Sequence, residues 1–175
     1  MKTLTVTALL CAVMALTTAA TLSEVKDVQE ALEKPGEHQV VERSTCCPDG
    51  WRMINGRCFL YVKQLMNWAQ AERNCQSMGA NLASVHQALE QDEIQRMVTD
   101  ITNGHPDTWI GGSDAEMEGV WLWSDGTPFR FSYWCSGEPN NQGNEHCLEM
   151  NFGDNKCWND KECDTNRPSV CAKNI

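Results

Sequence analysis

The chain predicts a disulfide-stapled α+β domain. Two helix-length stretches with apolar faces come early, and short strand candidates broken by Gly, Asp and Asn turns follow. Ten cysteines are spread through the 175 residues. Helices gathered apart from strands, instead of alternating with them, indicate α+β and not a βαβ order. The length suits one ordinary domain. Seven tryptophans and twelve glycines fit a compact, loop-rich, secreted domain.

Residues 1–20 have the form of a signal peptide. Lys2 opens them, an apolar run over 4–16 follows, and Thr18-Ala19-Ala20 supplies small residues for cleavage. The run is too short for a membrane span, and no later run is apolar enough. Its removal takes Lys2 and Cys11 with it, leaving a formal charge of −11 and nine cysteines. Residues 21–45 are polar and acidic, broken by Pro35-Gly36, and read as an arm or pro-segment. Val25, Val28 and Leu32 in that arm carry helical spacing.

The cysteine-bounded domain covers residues 46–175. Pro48-Asp49-Gly50 makes a turn. Residues 58–62 are strand-like, with Asn55-Gly56 before them as a hairpin signal. Cys47 and Cys58 fall where they can close that hairpin. Asn67 caps a helix over 67–78 whose inner face is Trp68, Ala71 and Cys75, and Gly79 stops it. A short strand over 80–85 leads to a second helix over 88–101, with Ile94, Met97, Val98 and Ile101 as its apolar face. Strand candidates then lie at 108–111, 120–123, 147–151, 156–158 and 169–172.

Net charge of −10 argues against a nucleic-acid partner, which calls for a basic patch. The four histidines sit in unrelated contexts, and no nucleophile elbow, phosphate loop or His-Glu-x-x-His occurs. These features point away from an enzyme. No Asn-x-Ser/Thr sequon is present. The densest chemistry is at 138–160: Glu138-Pro139-Asn140-Asn141-Gln142-Gly143-Asn144-Glu145-His146-Cys147, then Cys157-Trp158-Asn159-Asp160. Carboxylates and carboxamides bunched so tightly are costly to leave facing one another. Ca²⁺, which takes six to eight oxygen ligands, removes that cost.

Several motifs together resemble the C-type lectin-like domain, over roughly residues 47–172. They are Cys47-Pro48-Asp49-Gly50-Trp51, Trp109-Ile110-Gly111-Gly112, Trp121-Leu122-Trp123-Ser124-Asp125-Gly126, Glu138-Pro139-Asn140 and Trp158-Asn159-Asp160. The resemblance implies two helices, two small antiparallel sheets and a long calcium-binding loop region. It implies disulfides Cys47–Cys58, Cys75–Cys171 and Cys147–Cys163. Cys135 and Cys157 resemble the additional pair of fish type II antifreeze proteins and related fish lectins. That pairing leaves Cys46 as the odd cysteine, a candidate interchain bridge for a disulfide-linked homodimer.

The same resemblance implies that the Glu138–Pro139 bond is cis. It also implies that Glu138, Asn140, Glu145, Asn159 and Asp160 hold one Ca²⁺, with sugar hydroxyls read by Glu138, Asn140, Glu145 and Asn159. Glu-Pro-Asn is similar to the mannose-type sequence, as opposed to the Gln-Pro-Asp of galactose binders. A second calcium site falls to Asp114, Glu118, Asn141 and Glu145, weakened by His146 where the family places a carboxylate. The expected function is a secreted, calcium-dependent, mannose-type lectin of innate defence. The alternative on the same scaffold is an ice-binding type II antifreeze protein.

Overall fold

The computed structural model describes residues 46–175. The expected signal peptide (1–20) and arm (21–45) lie outside them. The order is β1 (Arg52–Ile54), β2 (Arg57–Met66), α1 (Trp68–Ser77), β3 (Asn81–Leu82), α2 (Ala88–Thr102), β4 (Thr108–Ser113), β5 (Leu122–Trp123), β6 (Cys147–Phe152), β7 (Cys157–Lys161) and β8 (Arg167–Asn174).

Local chemistry fixes the first half as the sequence predicts. Asn55 and Gly56 take positive φ angles of 48° and 75° between β1 and β2, the backbone a tight hairpin turn demands. Asn67 caps α1 by accepting from Gln70 N on its Oδ1, and Gln70 Oε1 in turn accepts from Asn67 N. This reciprocal pair satisfies two donors that would otherwise be orphaned. In α2 the buried stripe is Glu90, Gln91, Ile94, Met97 and Val98. Ile101, expected on that face, is instead 39% exposed, because the stripe stops at Val98 and the last turn stands in solvent.

The sheet runs β1-β2-β8-β4-β6-β7, with β3 on β8 and β5 on β4. The two antiparallel sets implied by the resemblance are therefore not separate. A single parallel pairing, Trp109 with Ser169, joins β4 to β8 and makes one hydrogen-bonded sheet. Side-chain alternation along these strands fills both faces. Ile110, Leu148, Met150, Val170 and Ala172 pack with Ile94, Met97 and Val98 of α2. Trp109, Cys147 and Cys171 pack with Ala71 and Cys75 of α1. Gly111 and Gly112 sit at the tightest approach. A Cβ on Gly111 would lie 2.6 Å from Leu82 O, and one on Gly112 would lie 2.6 Å from Leu148 Cδ1.

The four implied disulfides are all formed: Cys47–Cys58, Cys75–Cys171, Cys135–Cys157 and Cys147–Cys163. The second ties α1 to β8 across 96 positions. Closing so long a loop is worth about 4 to 5 kcal/mol on the chain-entropy account.

Three buried carboxylates also knit the scaffold. Glu72 of α1 accepts from Asn81 Nδ2, Leu82 N and Ser124 Oγ. Glu90 accepts from Arg57 and from His86 N. Glu149 accepts from Asn159 and Arg167. Each is hydrogen-bonded, and Glu90 and Glu149 also face an arginine, as buried carboxylates need.

Candidate metal centre

The β6–β7 hairpin is the floor of the centre. It pairs Leu148 with Asp160 and Glu149 with Asn159. Cys147–Cys163 staples one end and Cys135–Cys157 ties the incoming loop to the other. Trp158 exchanges backbone bonds with that loop: Cys135 N donates to Trp158 O at 2.9 Å, and Trp158 N donates to Tyr133 O at 2.8 Å. Trp158 itself is fully buried, its indole donating to Gln91 Oε1. Its null exposure supports a packing role over sugar stacking.

On this floor the chain turns through Glu138, Pro139 and Asn140, with the Glu138–Pro139 bond cis. Asp160, 1% exposed, accepts from Asn140 N at 3.1 Å and Asn141 N at 2.6 Å. Asn140 Oδ1 accepts from Gln142 N, and Asn141 Oδ1 accepts from Glu145 N. The loop is thus wound around its own oxygen acceptors.

In this loop one buried oxygen is left without a partner. Glu138 Oε2 is buried and has no hydrogen-bond partner among the described residues. Burial, then the Asp160 carboxylate beside it, holds the Glu138 carboxyl above the usual carboxylate range, while the Asn140 side chain opposes the shift and Glu145 adds to it. Two carboxylates side by side repel each other, and a proton or a cation relieves that repulsion. Glu138, Asn140, Glu145 and Asp160 offer oxygen ligands, the type a hard cation such as Ca²⁺ takes, but their three carboxylates do not gather within 4.8 Å of one another as the ligand atoms of Asp114, Glu118 and His146 do.

Asn159 is 4% exposed and gives its Nδ2 to Glu149 Oε1 at 3.0 Å, leaving its carbonyl oxygen as the atom to ligate. Among the described hydrogen bonds it shares none with Glu138, Asn140 or Glu145. Its tie to them is its chain neighbour Asp160. Glu149, held by Asn159 and Arg167, is a positioning residue the sequence did not mark. Burial holds its carboxyl above the ordinary range, opposed by Arg167 and Asn159.

The residues expected at the second site come together differently. His146 Nδ1 lies 2.9 Å from Asp114 Oδ1 and 3.5 Å from Glu118 Oε2. Its Nε2 lies 3.1 Å from Asn144 Oδ1. Asn141 Nδ2 donates to Glu118 Oε2, and Gly119 N donates to Asp114 Oδ2. Ligand atoms of Asp114, Glu118 and His146 lie within 4.8 Å of one another. The Glu145 carboxylate, expected here as well, is turned instead to Lys161 Nζ at 2.9 Å. The imidazole thus occupies the middle of this acidic set, and histidine is a poor Ca²⁺ ligand.

Comparison with known proteins agrees with the fold. The Lectin C-type domain family matches residues 64–173. Ladderlectin of Oncorhynchus mykiss is 42% identical, over 100% of this chain and 96% of its own. The galactose-specific lectin nattectin of Thalassophryne nattereri is 41% identical, over 78% of this chain and 86% of its own. The solved structure of herring type II antifreeze protein superposes with a TM-score of 0.69 at 38% identity, over 74% of this chain and 99% of that one. The chain belongs to the C-type lectin domain family.

Proposed function

We propose that this protein is a secreted, calcium-dependent lectin that reads mannose-type hydroxyls. The observation that carries the reading is the buried, donorless Glu138 Oε2 facing Asp160, in a set made wholly of oxygen atoms. Glu138, Asn140, Glu145, Asn159 and Asp160 would hold the ion. Ca²⁺ bound there supplies a centre that two neighbouring sugar hydroxyls can join. The protein's part is to set the order of hydrogen-bonding groups around it. Carboxylates of Glu138 and Glu145 accept from hydroxyls, and amides of Asn140 and Asn159 donate to them. Glu-Pro-Asn supports mannose over galactose, even though the relative nattectin is galactose-specific by name.

A shallow site binding one sugar has affinity on the order of millimolar. Linking sites raises it through effective concentration. Cys46 is exposed beside the Cys47–Cys58 staple, a position suited to an interchain bridge. Secretion is supported by the sequence of residues 1–20, and no helix among the described residues is long and apolar enough to cross a membrane. Binding and not catalysis is the role, since carboxylates committed to one cation are not free to exchange protons.

Retention on mannose-agarose in calcium, with release by EDTA, is the test. A chain that passes through unretained with calcium present is not this lectin. The likeness to a type II antifreeze protein favours ice binding as the second reading. Thermal hysteresis by the purified chain, with no sugar retention, would move the conclusion there.

A further inference from the structure

The centre contains a cation of its own. Lys161, the residue after Asp160, lies at the end of β7 with its side chain 27% exposed. Its ammonium stands 2.9 Å from Glu145 Oε1 and also contacts Glu162 Oε2. The Glu145 side chain is 6% exposed, so this ammonium neutralises a nearly buried carboxylate assigned above to the ion. Glu162 is exposed at 38% of its side chain and lies against the 141–144 turn, where a Cβ on Gly143 would sit 3.2 Å from Glu162 Oε1.

We infer that Lys161 is a built-in competitor of calcium: it bridges Glu145 and Glu162 when the ion is absent and must release Glu145, staying on Glu162 alone, when the ion binds. The inference rests on the calcium reading above and deepens it. Two carboxylates share one ammonium, and either can hold it. One is inside the centre and nearly dry; the other is at its rim and wet. An ion taking Glu145 displaces the ammonium outward by a side-chain rotation, without breaking the β6–β7 pairing. No proton moves, and no covalent bond changes.

Two consequences follow. Calcium binding is weakened by the free energy of parting a charge-assisted hydrogen bond. The centre also keeps part of its shape without calcium, since the charge on Glu145 stays compensated. Removing the ammonium should therefore tighten calcium binding and loosen the calcium-free protein.

The experiment is calorimetric titration of calcium into the native chain, Lys161→Met, Lys161→Gln and Lys161→Arg, with melting of each in EDTA. Both neutral variants should bind calcium roughly tenfold more tightly than the native chain, the factor expected for one such bond, and melt at lower temperature in EDTA. Lys161→Arg should restore both properties. Lys161→Gln keeps a hydrogen-bond donor to Glu145, which guards against a variant that fails for want of folding. If the four proteins bind calcium within twofold of one another, the competitor is refuted and the lectin reading stands. If none binds calcium, both fall. If only the neutral variants bind, the competitor is established in its strongest form.

Discussion

On the proposed lectin reading, Glu138 and Asn140 would decide which sugar the centre reads, by placing an acceptor and a donor in fixed order around the ion. Exchanging the order by Glu138→Gln with Asn140→Asp should move preference from mannose to galactose by about tenfold or more, the effect of reversing hydrogen bonds to a bound hydroxyl. A glycan array with and without calcium measures it, and unchanged preference would show that another loop is the reader. Glu149 permits a second test. Burial raises its carboxyl above the 4.5 of an ordinary glutamate, so its charge costs the folded state more than the unfolded one. That cost is absent below the unfolded value and appears as pH rises through the folded one. The melting temperature of Glu149→Gln, relative to the native chain, should therefore climb as pH rises from about 4.5. A flat difference would mean that Arg167 fully compensates the charge. The five proposed ligands stand out in the sequence because oxygen donors are recognisable by type. Glu149, Glu72 and Lys161 do not, because a buried or competing charge is told apart from a solvated one only by what the fold sets against it.

The elements were more readable than the residues that support them. Both helices, the Asn67 cap, the Asn55-Gly56 turn and the strands that carry Trp109 and Trp158 follow from periodicity and turn chemistry; the strand order does not. Strand ends did not follow. The stretch expected at 80–85 pairs only at Asn81–Leu82, and the one expected at 120–123 only at Leu122–Trp123. In both, the remaining residues satisfy their backbone through loop bonds, such as Ala83 N to Val170 O. Such bonds are set by tertiary contact and leave no local signal. The element that matters for function is the β6–β7 hairpin with its loop tied by Cys135–Cys157. That bridge spans 22 positions, worth about 3 kcal/mol by chain entropy. Cys135→Ala with Cys157→Ala should lower stability by about that amount in denaturant titration. It should also weaken calcium binding, since the loop carrying Glu138 loses its anchor. Lost stability with unaltered calcium affinity would show that the backbone pairing to Trp158 alone positions the loop.

At the scale of the whole described domain, the core and the centre depend on different forces. The two apolar clusters lie on either face of the sheet, and none of their buried residues comes from the 136–146 loop. That loop is held by hydrogen bonds to side-chain oxygens, chiefly Asp160 accepting from Asn140 N and Asn141 N. Local openings of this kind cost far less than global unfolding when few apolar contacts are lost. If calcium is held as proposed, its removal restores repulsion between Glu138 and Asp160, which only the Asn140 and Asn141 amides on Asp160 and the Asn140 side chain temper there. Lys161 offsets it at Glu145 alone. Hydrogen exchange should then respond in a graded way. In EDTA the amides of Asn140 and Asn141 should exchange at least tenfold faster than in calcium. That factor corresponds to about 1.4 kcal/mol of local opening. The Glu145 amide, on Asn141 Oδ1 beside the compensated carboxylate, should change less. The amides of Ala83 and Gly111, bonded to Val170 O and Ala83 O in the buried segment beside the sheet, should not change. Uniform loss of protection through sheet and loop would mean that calcium holds the fold together and does not merely organise its rim. In that case the disulfides and apolar clusters would be insufficient without the ion.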